Sequence, residues 1–501
     1  MPEEIGIVIS SLSPPTHTSF DIELQEDIDT WVGDFVEVPC AYGVIVGRVI
    51  SITAENEYFK NPAFVKDHLV QNEGLLLRYK SKYGRYIIAR VKVVGILRRR
   101  HSTVELLPPM IPPEPGTPVY RPSEITLRSA LGLSSSGIFL GTLWGHDDIR
   151  IELDLDLLVR HHVAIIGATG SGKSYACGVL IEELVKHNLP VIVFDPHSEY
   201  WTMKYPNASE EHLLNQLDMY PAGFRVKIFS PVGSEVADEP LSVSLIDLGP
   251  EGIAELCGMS ETQEDLLFLA FKKAIEDCGD DFTVDDLDLS VRKVAHDYGF
   301  LPTTVLAVRR RLTVLNELGV IDSSLDPRNL VERGRISIID LSSPIPERAR
   351  RALVGAVLRR LFSARRTNSI PPLMVVVEEG HRFAPQNEEV FSKDAIRLIA
   401  REGRKFGIGI SIISQRVVGL DKDIFSQCGT MLIMKVTCTT DISFLKPLIE
   451  ASGEAERLSF LPRGVGVLSS ICLHTPVLIK VRPRMSMHGG GGKSINGGVK
   501  T

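Results

Sequence analysis

Two short runs hold the residues through which this chain can do chemistry. The first is GATGSGKSY, residues 167–175. Gly167, Gly170, Gly172, Lys173 and Ser174 satisfy the pattern GxxxxGK[ST], whose glycines let successive backbone N–H groups turn inward around a phosphate. Ala168, Thr169, Ser171 and Tyr175 complete that cradle. Lys173 is placed to reach the β- and γ-oxygens of a nucleoside triphosphate, and the Ser174 hydroxyl is a Mg2+ ligand. ATP and Mg2+ are therefore the expected cofactors. The second run is LMVVVEEGHRF, 373–383, in which two carboxylates follow an apolar strand directly. Paired acids there are costly to bury without a metal or cation. Glu378 is expected to hold Mg2+ through a water, and Glu379 to orient or deprotonate an attacking water. Asp195 and Asp340, also at strand ends, compete for the metal role.

Phosphoryl transfer also needs positive charge beside the γ-phosphate. In KDAIRLIAREGRKFG, Arg397, Arg401 and Arg404 fall at i, i+4 and i+7 and share one helical face, leaving Ile396, Ile399 and Ala400 for the sheet. Arg404 is the preferred arginine finger, directed at a neighbouring subunit's nucleotide. Gln415, after the strand IGISIIS, is expected to sense the γ-phosphate. Downstream of VIVFD, Asp195 and Glu199 are expected to order the site. Tyr200, Trp201 and Lys204 form an aromatic–basic cluster able to line a channel and stack on bases, with packing an equal alternative for the aromatics; with Arg397 they are the candidate DNA contacts. His161, His162 and His381 read as structural or as supports behind the site residues, since no histidines or cysteines have zinc spacing.

The elements that must position these residues follow from patterning. Alternation of apolar and polar residues in 32–53 and 85–97 predicts strands, and residues 1–105 read as a small β-barrel. Seven of the fifteen residues from Pro108 to Pro122 are proline, which predicts a stiff connector over 106–136. Residues 137–484 alternate short apolar strands with helices, the pattern of a parallel sheet covered on both faces, with a helical insertion at about 206–330. Six glycines and no acid in the last 17 residues predict a flexible tail over 485–501. The fold class is α/β. Charge is uneven: the net −8 conceals 12 acids against 2 bases from Glu251 to Asp288, and 13 bases against 7 acids from Pro346 to Lys405. Seven scattered cysteines, an acidic amino terminus and no long apolar run point to a soluble cytoplasmic protein.

Taken together, RHHVAIIGATGSGKS, FDPHSEY, EEGHRFAP, GRKFGIGISIISQR and the closing LIKVRPR resemble the FtsK–HerA superfamily of ring-forming P-loop motors, and within it the archaeal HerA translocases. The resemblance spans nearly the whole chain. It implies a RecA-like ATPase core behind a HAS-type barrel, a homohexamer with nucleotide sites between subunits, and a channel for double-stranded DNA. It further implies a NurA-family nuclease as partner, met at the barrel face, and a role in DNA end resection and double-strand break repair, with no membrane involved. By the resemblance, Lys173 and Ser174 bind phosphate and Mg2+, Glu379 is the catalytic glutamate, Arg404 the finger acting in trans and Gln415 the sensor. Glu378 departs from the family pattern, where many relatives carry Asp, and its extra methylene alters the reach to the metal. A motor acting on protein and a nucleotide-gated scaffold are the competing readings.

Overall fold

The computed structural model describes residues 3–489, except 11–13, 26–28, 57–84, 101–102, 135, 232–233, 235, 318–320, 322–323 and 450–456. Seven strands form the amino-terminal sheet: β1 (Glu4–Ile9), β2 (Ser19–Leu24), β3 (Phe35–Cys40), β4 (Gly43–Asn56), β5 (Arg85–Arg100), β6 (Thr103–Leu107) and β7 (Pro118–Tyr120). They pair in the order β2-β1-β7-β3-β4-β5-β6, and β2 also pairs with β5, which closes a barrel. Closure leaves the barrel strands no free edge. Its interior is aliphatic, with Val36, Val38, Ile45, Val49, Ala89, Val91 and Val119 fully buried.

The proline-rich stretch is therefore more than a connector. β7 lies within it and supplies the staple between β1 and β3, with Pro118 at the strand's first residue, where a missing N–H is tolerated. The chain then enters the helix Glu124–Leu131, capped by Ser123 and closed by Gly132 at φ +73°.

The second sheet has twelve strands: β8 (Ile138–Leu143), β9 (His146–Leu153), β10 (Val163–Ile166), β11 (Val191–Asp195), β12 (Val226–Ser230), β13 (Glu239–Pro240), β14 (Ile336–Asp340), β15 (Leu373–Val377), β16 (Ile408–Ser414), β17 (Thr430–Ile433), β18 (Val465–Ser470) and β19 (Val477–Val481). Their order is β13-β12-β14-β11-β15-β16-β10-β17-β18-β19-β8-β9. From β13 to β17 every pairing is parallel; from β17 to β9 every pairing is antiparallel. The central strands β10, β11, β14, β15 and β16 are buried along their whole length, as parallel strands covered on both faces must be. β10 sits between β16 and β17, so the loop that follows it opens near the middle of the sheet's carboxyl edge, where such folds bind ligands.

The stretch expected as a helical insertion also contributes β12 to the sheet. Its helices, Leu245–Cys257, Glu261–Cys278, Val284–Tyr298 and Pro302–Glu317, form a separate apolar core with the helix Glu347–Arg366. The acidic and basic segments meet at a surface ion pair, Arg359 lying 3.5 Å from Glu251, and just before the acidic run Arg360 lies 3.0 Å from buried Asp247. The barrel is tied to the twelve-stranded sheet through buried Arg48, whose Nη1 donates to the Pro476 carbonyl at 2.8 Å, and through Asp34 and His146, also 2.8 Å apart. The expected tail begins later than residue 485. Residues 485–489 are docked on the core, and 490–501 lie outside the described residues.

Candidate nucleotide-binding active site

The loop after β10 has the backbone its sequence requires. Gly170 and Gly172 have φ of +77° and +106°. A side chain on Gly167 would lie 2.7 Å from Ser171 Oγ and 2.8 Å from Met434 Cβ. The helix Lys173–Lys186 starts directly from Gly172 with no side-chain cap, so its first N–H groups are unclaimed by a cap and face the loop. Lys173 is buried, and its Nζ donates to the Ala168 carbonyl at 3.1 Å, folding back over the loop. Burial lowers its pKa, and the nearby charges of Glu378, Glu379 and Glu199 work against that.

Glu378 and Glu379 face this loop from the end of β15, and both are nearly inaccessible. Burial raises the Glu378 pKa to about 7, opposed by hydrogen bonds from Tyr200 and Ser174. Tyr200 Oη donates to Glu378 Oε1 at 2.5 Å. Glu379 occupies left-handed backbone at φ +51°, an uncommon conformation for a side chain with a Cβ and one that recurs at active sites. Gln415 Nε2 donates to Glu379 Oε1 at 2.5 Å, while Gln415 Oε1 accepts from Thr169 Oγ1 at 2.7 Å. Gln415 therefore bridges the phosphate loop and the acid. His381 Nδ1 stands 3.3 Å from the other Glu379 oxygen, and His197 Nε2 lies 3.8 Å from Oε1.

Two polar atoms in this cluster are buried and without a hydrogen-bond partner: Ser171 Oγ in the loop and Glu379 Oε2 opposite it. Orphaned groups on a glycine cradle and on the acid beside it are what a phosphate and its attacking water would satisfy. Ser174, close enough to lower the pKa of Glu378, supplies with it the hydroxyl and carboxylate that a magnesium ion takes. The competing acids are already engaged. Asp195 accepts the backbone N–H groups of His197, Glu199 and Tyr200, and Asp340 those of the Ser342 backbone and the Ser234 hydroxyl.

Residues 138–361 match the family described as helicase HerA, central domain. The middle of the chain is thus similar to the HerA family. The chain is 26% identical to the DNA double-strand break repair helicase HerA of Pyrococcus furiosus, a match covering 99% of this chain and 95% of that one. It is 29% identical to the Sulfolobus acidocaldarius protein of the same name, over 79% of this chain and 78% of the relative. In fold it is similar to VirB4 of Thermoanaerobacter pseudethanolicus, with a TM-score of 0.52 at 16% identity, covering 70% of this chain and 97% of that one.

The four residues expected to meet DNA all have partners within the chain. Tyr200 is 1% exposed and spends its hydroxyl on Glu378, so it has no ring face to offer a base. Sequence could not separate this from stacking, because both uses call for an aromatic beside a basic residue. Trp201 is half-buried against the core and edge-on to Tyr205. Lys204 is paired with Asp238 at 3.1 Å, and Arg397 with Glu389 and Asp421, each at 2.8 Å. The helix Phe391–Phe406 does bury Ile396, Ile399 and Ala400 as its spacing predicts. Arg401 pairs with Asp423, whereas Arg404 is exposed and makes no ion pair among the described residues. Arg404 stands just before β16, near His161, whose pKa it helps to lower. It lies at the edge of the sheet opposite the phosphate loop. The seven residues of β16 alone separate the two edges by roughly 20 Å. Of the two roles the sequence leaves open for His381, its place beside Glu379 matches the one that supports a site residue.

Proposed function

We propose that this chain is an ATP-driven motor on double-stranded DNA, assembling as a hexamer and working with a NurA-type nuclease in DNA end resection. The reading rests on one observation. The phosphate loop, the two acids and the bridging glutamine converge in one chain, while Arg404, without an ion pair among the described residues, lies at the opposite edge of the sheet. A site built this way takes its arginine from the next copy of the chain. The names of the two relatives described above, both DNA double-strand break repair helicases, support DNA as the track.

In this mechanism Lys173 and the loop N–H groups hold the β- and γ-phosphates. Ser174 and Glu378 would hold Mg2+, which when bound neutralises charge on the β- and γ-oxygens. Glu379 accepts a proton from the attacking water, and its left-handed backbone, with Gln415 on one oxygen and His381 near the other, fixes where that carboxylate points. A γ-phosphate entering beside Thr169 competes for Gln415 and frees the Glu379 oxygen it holds. Arg404 from the neighbouring subunit then meets the charge developing on the transferred group, a contribution of about 10³–10⁵ in rate. The barrel, at one end of such a ring, is the surface we assign to the nuclease.

The test is ATP turnover with and without duplex DNA at low salt, together with native mass spectrometry. Stimulation by DNA and a six-subunit species are expected. Arg404→Ala and Glu379→Ala chains, each inactive alone, are expected to regain part of the activity when mixed. No recovery on mixing, or a monomer hydrolysing ATP at the full rate, would overturn the shared site.

A further inference from the structure

The segment Arg482–Gly489 leaves β19 and crosses the first turns of the phosphate-loop helix, held by charges withdrawn from water. Arg482 Nη1 donates to Glu182 Oε2 at 2.9 Å and Nη2 to Glu183 Oε1 at 2.8 Å, and Arg484 Nε lies 3.6 Å from Glu182 Oε1. The four side chains are between 0% and 2% exposed. Gly178, in the middle of the helix, makes room: a Cβ there would stand 2.5 Å from the Arg484 guanidinium carbon. Ser486 adds its N–H and hydroxyl to Glu182. Burying four charges gains little stability over an apolar contact of the same shape; its use is to impose one geometry.

What that geometry presents is His488. Its ring meets the Tyr175 ring edge-on with centroids 5.5 Å apart. The Arg484 N–H donates to Tyr175 Oη at 2.7 Å, and that hydroxyl donates in turn to Glu210. Tyr175 directly follows Ser174, so it borders the place where ribose and base leave a triphosphate whose phosphates lie in the loop. On the other side, the Gly464 N–H donates to the Ser171 carbonyl at 3.1 Å. Both Gly464 and Gly170 face open space. Arg463, exposed and without an ion pair among the described residues, flanks this opening, and its charge reaches His488.

We propose that Tyr175 and His488 form the wall against which the nucleotide's base rests, which makes the carboxyl-terminal segment a part of the nucleotide site. The proposal rests on the ATP reading above. Burial and the Arg484 charge bring the His488 pKa down to about 4, so the base meets a neutral ring at physiological pH.

Calorimetric titration of the full chain, with Mg2+ throughout, separates base contacts from phosphate contacts when adenylyl imidodiphosphate and inorganic tripolyphosphate are compared. His488→Ala is expected to weaken the adenine analogue roughly tenfold and tripolyphosphate less than twofold, since stacking is lost and phosphate grip is not. His488→Phe, which keeps an aromatic face, is expected to restore most of the loss. Equal weakening of both ligands, no weakening of either, or failure of the Phe variant to recover would overturn the proposal. A wild-type chain that bound neither ligand would overturn the ATP reading itself.

Discussion

Arg482→Met is the substitution for which the structure gives the most definite energy. Arg482 donates to the Phe139 and Pro483 carbonyls and to the Glu182 and Glu183 carboxylates, and every atom of its side chain is buried. Methionine fills much of the volume but offers no donor. Each carboxylate loses a charged hydrogen bond worth about 1.5–3 kcal/mol. Neither is wholly orphaned: Glu182 keeps Met485 N–H and Ser486, and Glu183 keeps Lys186 and Phe139 N–H. The loss is therefore expected near the lower end of the range for breaking a buried pair, about 3 kcal/mol. At roughly 2–4 °C per kcal/mol for a large domain, scanning calorimetry should find Tm lowered by about 6–12 °C. Adding Glu182→Gln and Glu183→Gln removes the charges left behind and should recover at least half of the loss. A single variant melting within 2 °C of the parent, or a triple variant less stable than the single one, would refute the reasoning.

Two further predictions concern groups nearer the site. His162 is 2% exposed, accepts the Ile410 N–H at 3.2 Å and donates to the Ala400 carbonyl at 3.0 Å, and burial lowers its pKa to about 4. The unfolded chain, with the usual value near 6.5, binds this proton more readily, so the stability held above pH 6.5 falls as pH drops towards 4. The fall amounts to about 2 kcal/mol by pH 5; urea unfolding at pH 7.5 and 5 should detect it, and His162→Asn should flatten that pH dependence. Tyr200→Phe removes the hydroxyl bonded to Glu378. Titration of Mg2+ into the chain with bound ATP analogue should show several-fold weaker metal dependence, while nucleotide binding without Mg2+ and duplex affinity stay unchanged; a selective loss of DNA binding would instead restore Tyr200 to the DNA surface.

The sheet and its chemistry were largely legible because both are local. A buried parallel strand must be an apolar run, as VAII and LMVVV are, and a loop that wraps phosphate must have glycine where φ is positive, as at Gly170 and Gly172. The reach of Arg404, Ile396 and Ile399 to different sides follows from helical spacing alone. What sequence did not disclose depends on partners far along the chain. β7 lies in a proline-rich stretch that reads as linker, and it becomes a strand because β1 and β3 leave a gap that three extended residues close. Tyr200 is 178 residues from Glu378, and Arg482 about 300 from the glutamates that bury it.

The carboxyl-terminal segment shows how this blindness can mislead in one direction. Glycine, histidine and serine without acids read as disorder, since such residues bury little apolar surface. Yet residues 482–488 are anchored by charge, and the glutamates that anchor them sit inside the phosphate-loop helix, where Glu182 and Glu183 follow a run of apolar residues. Two adjacent acids on a helix buried along most of its length require cations from elsewhere in the fold, because an unpaired carboxylate in such surroundings would not remain ionised. The signal for a docked segment was thus present, but in the helix that receives it. The same helix begins at Lys173, so whatever fixes the segment also fixes the helix that delivers the phosphate loop. The segment and the catalytic loop are therefore one mechanical unit, and a change at either end is felt at the other.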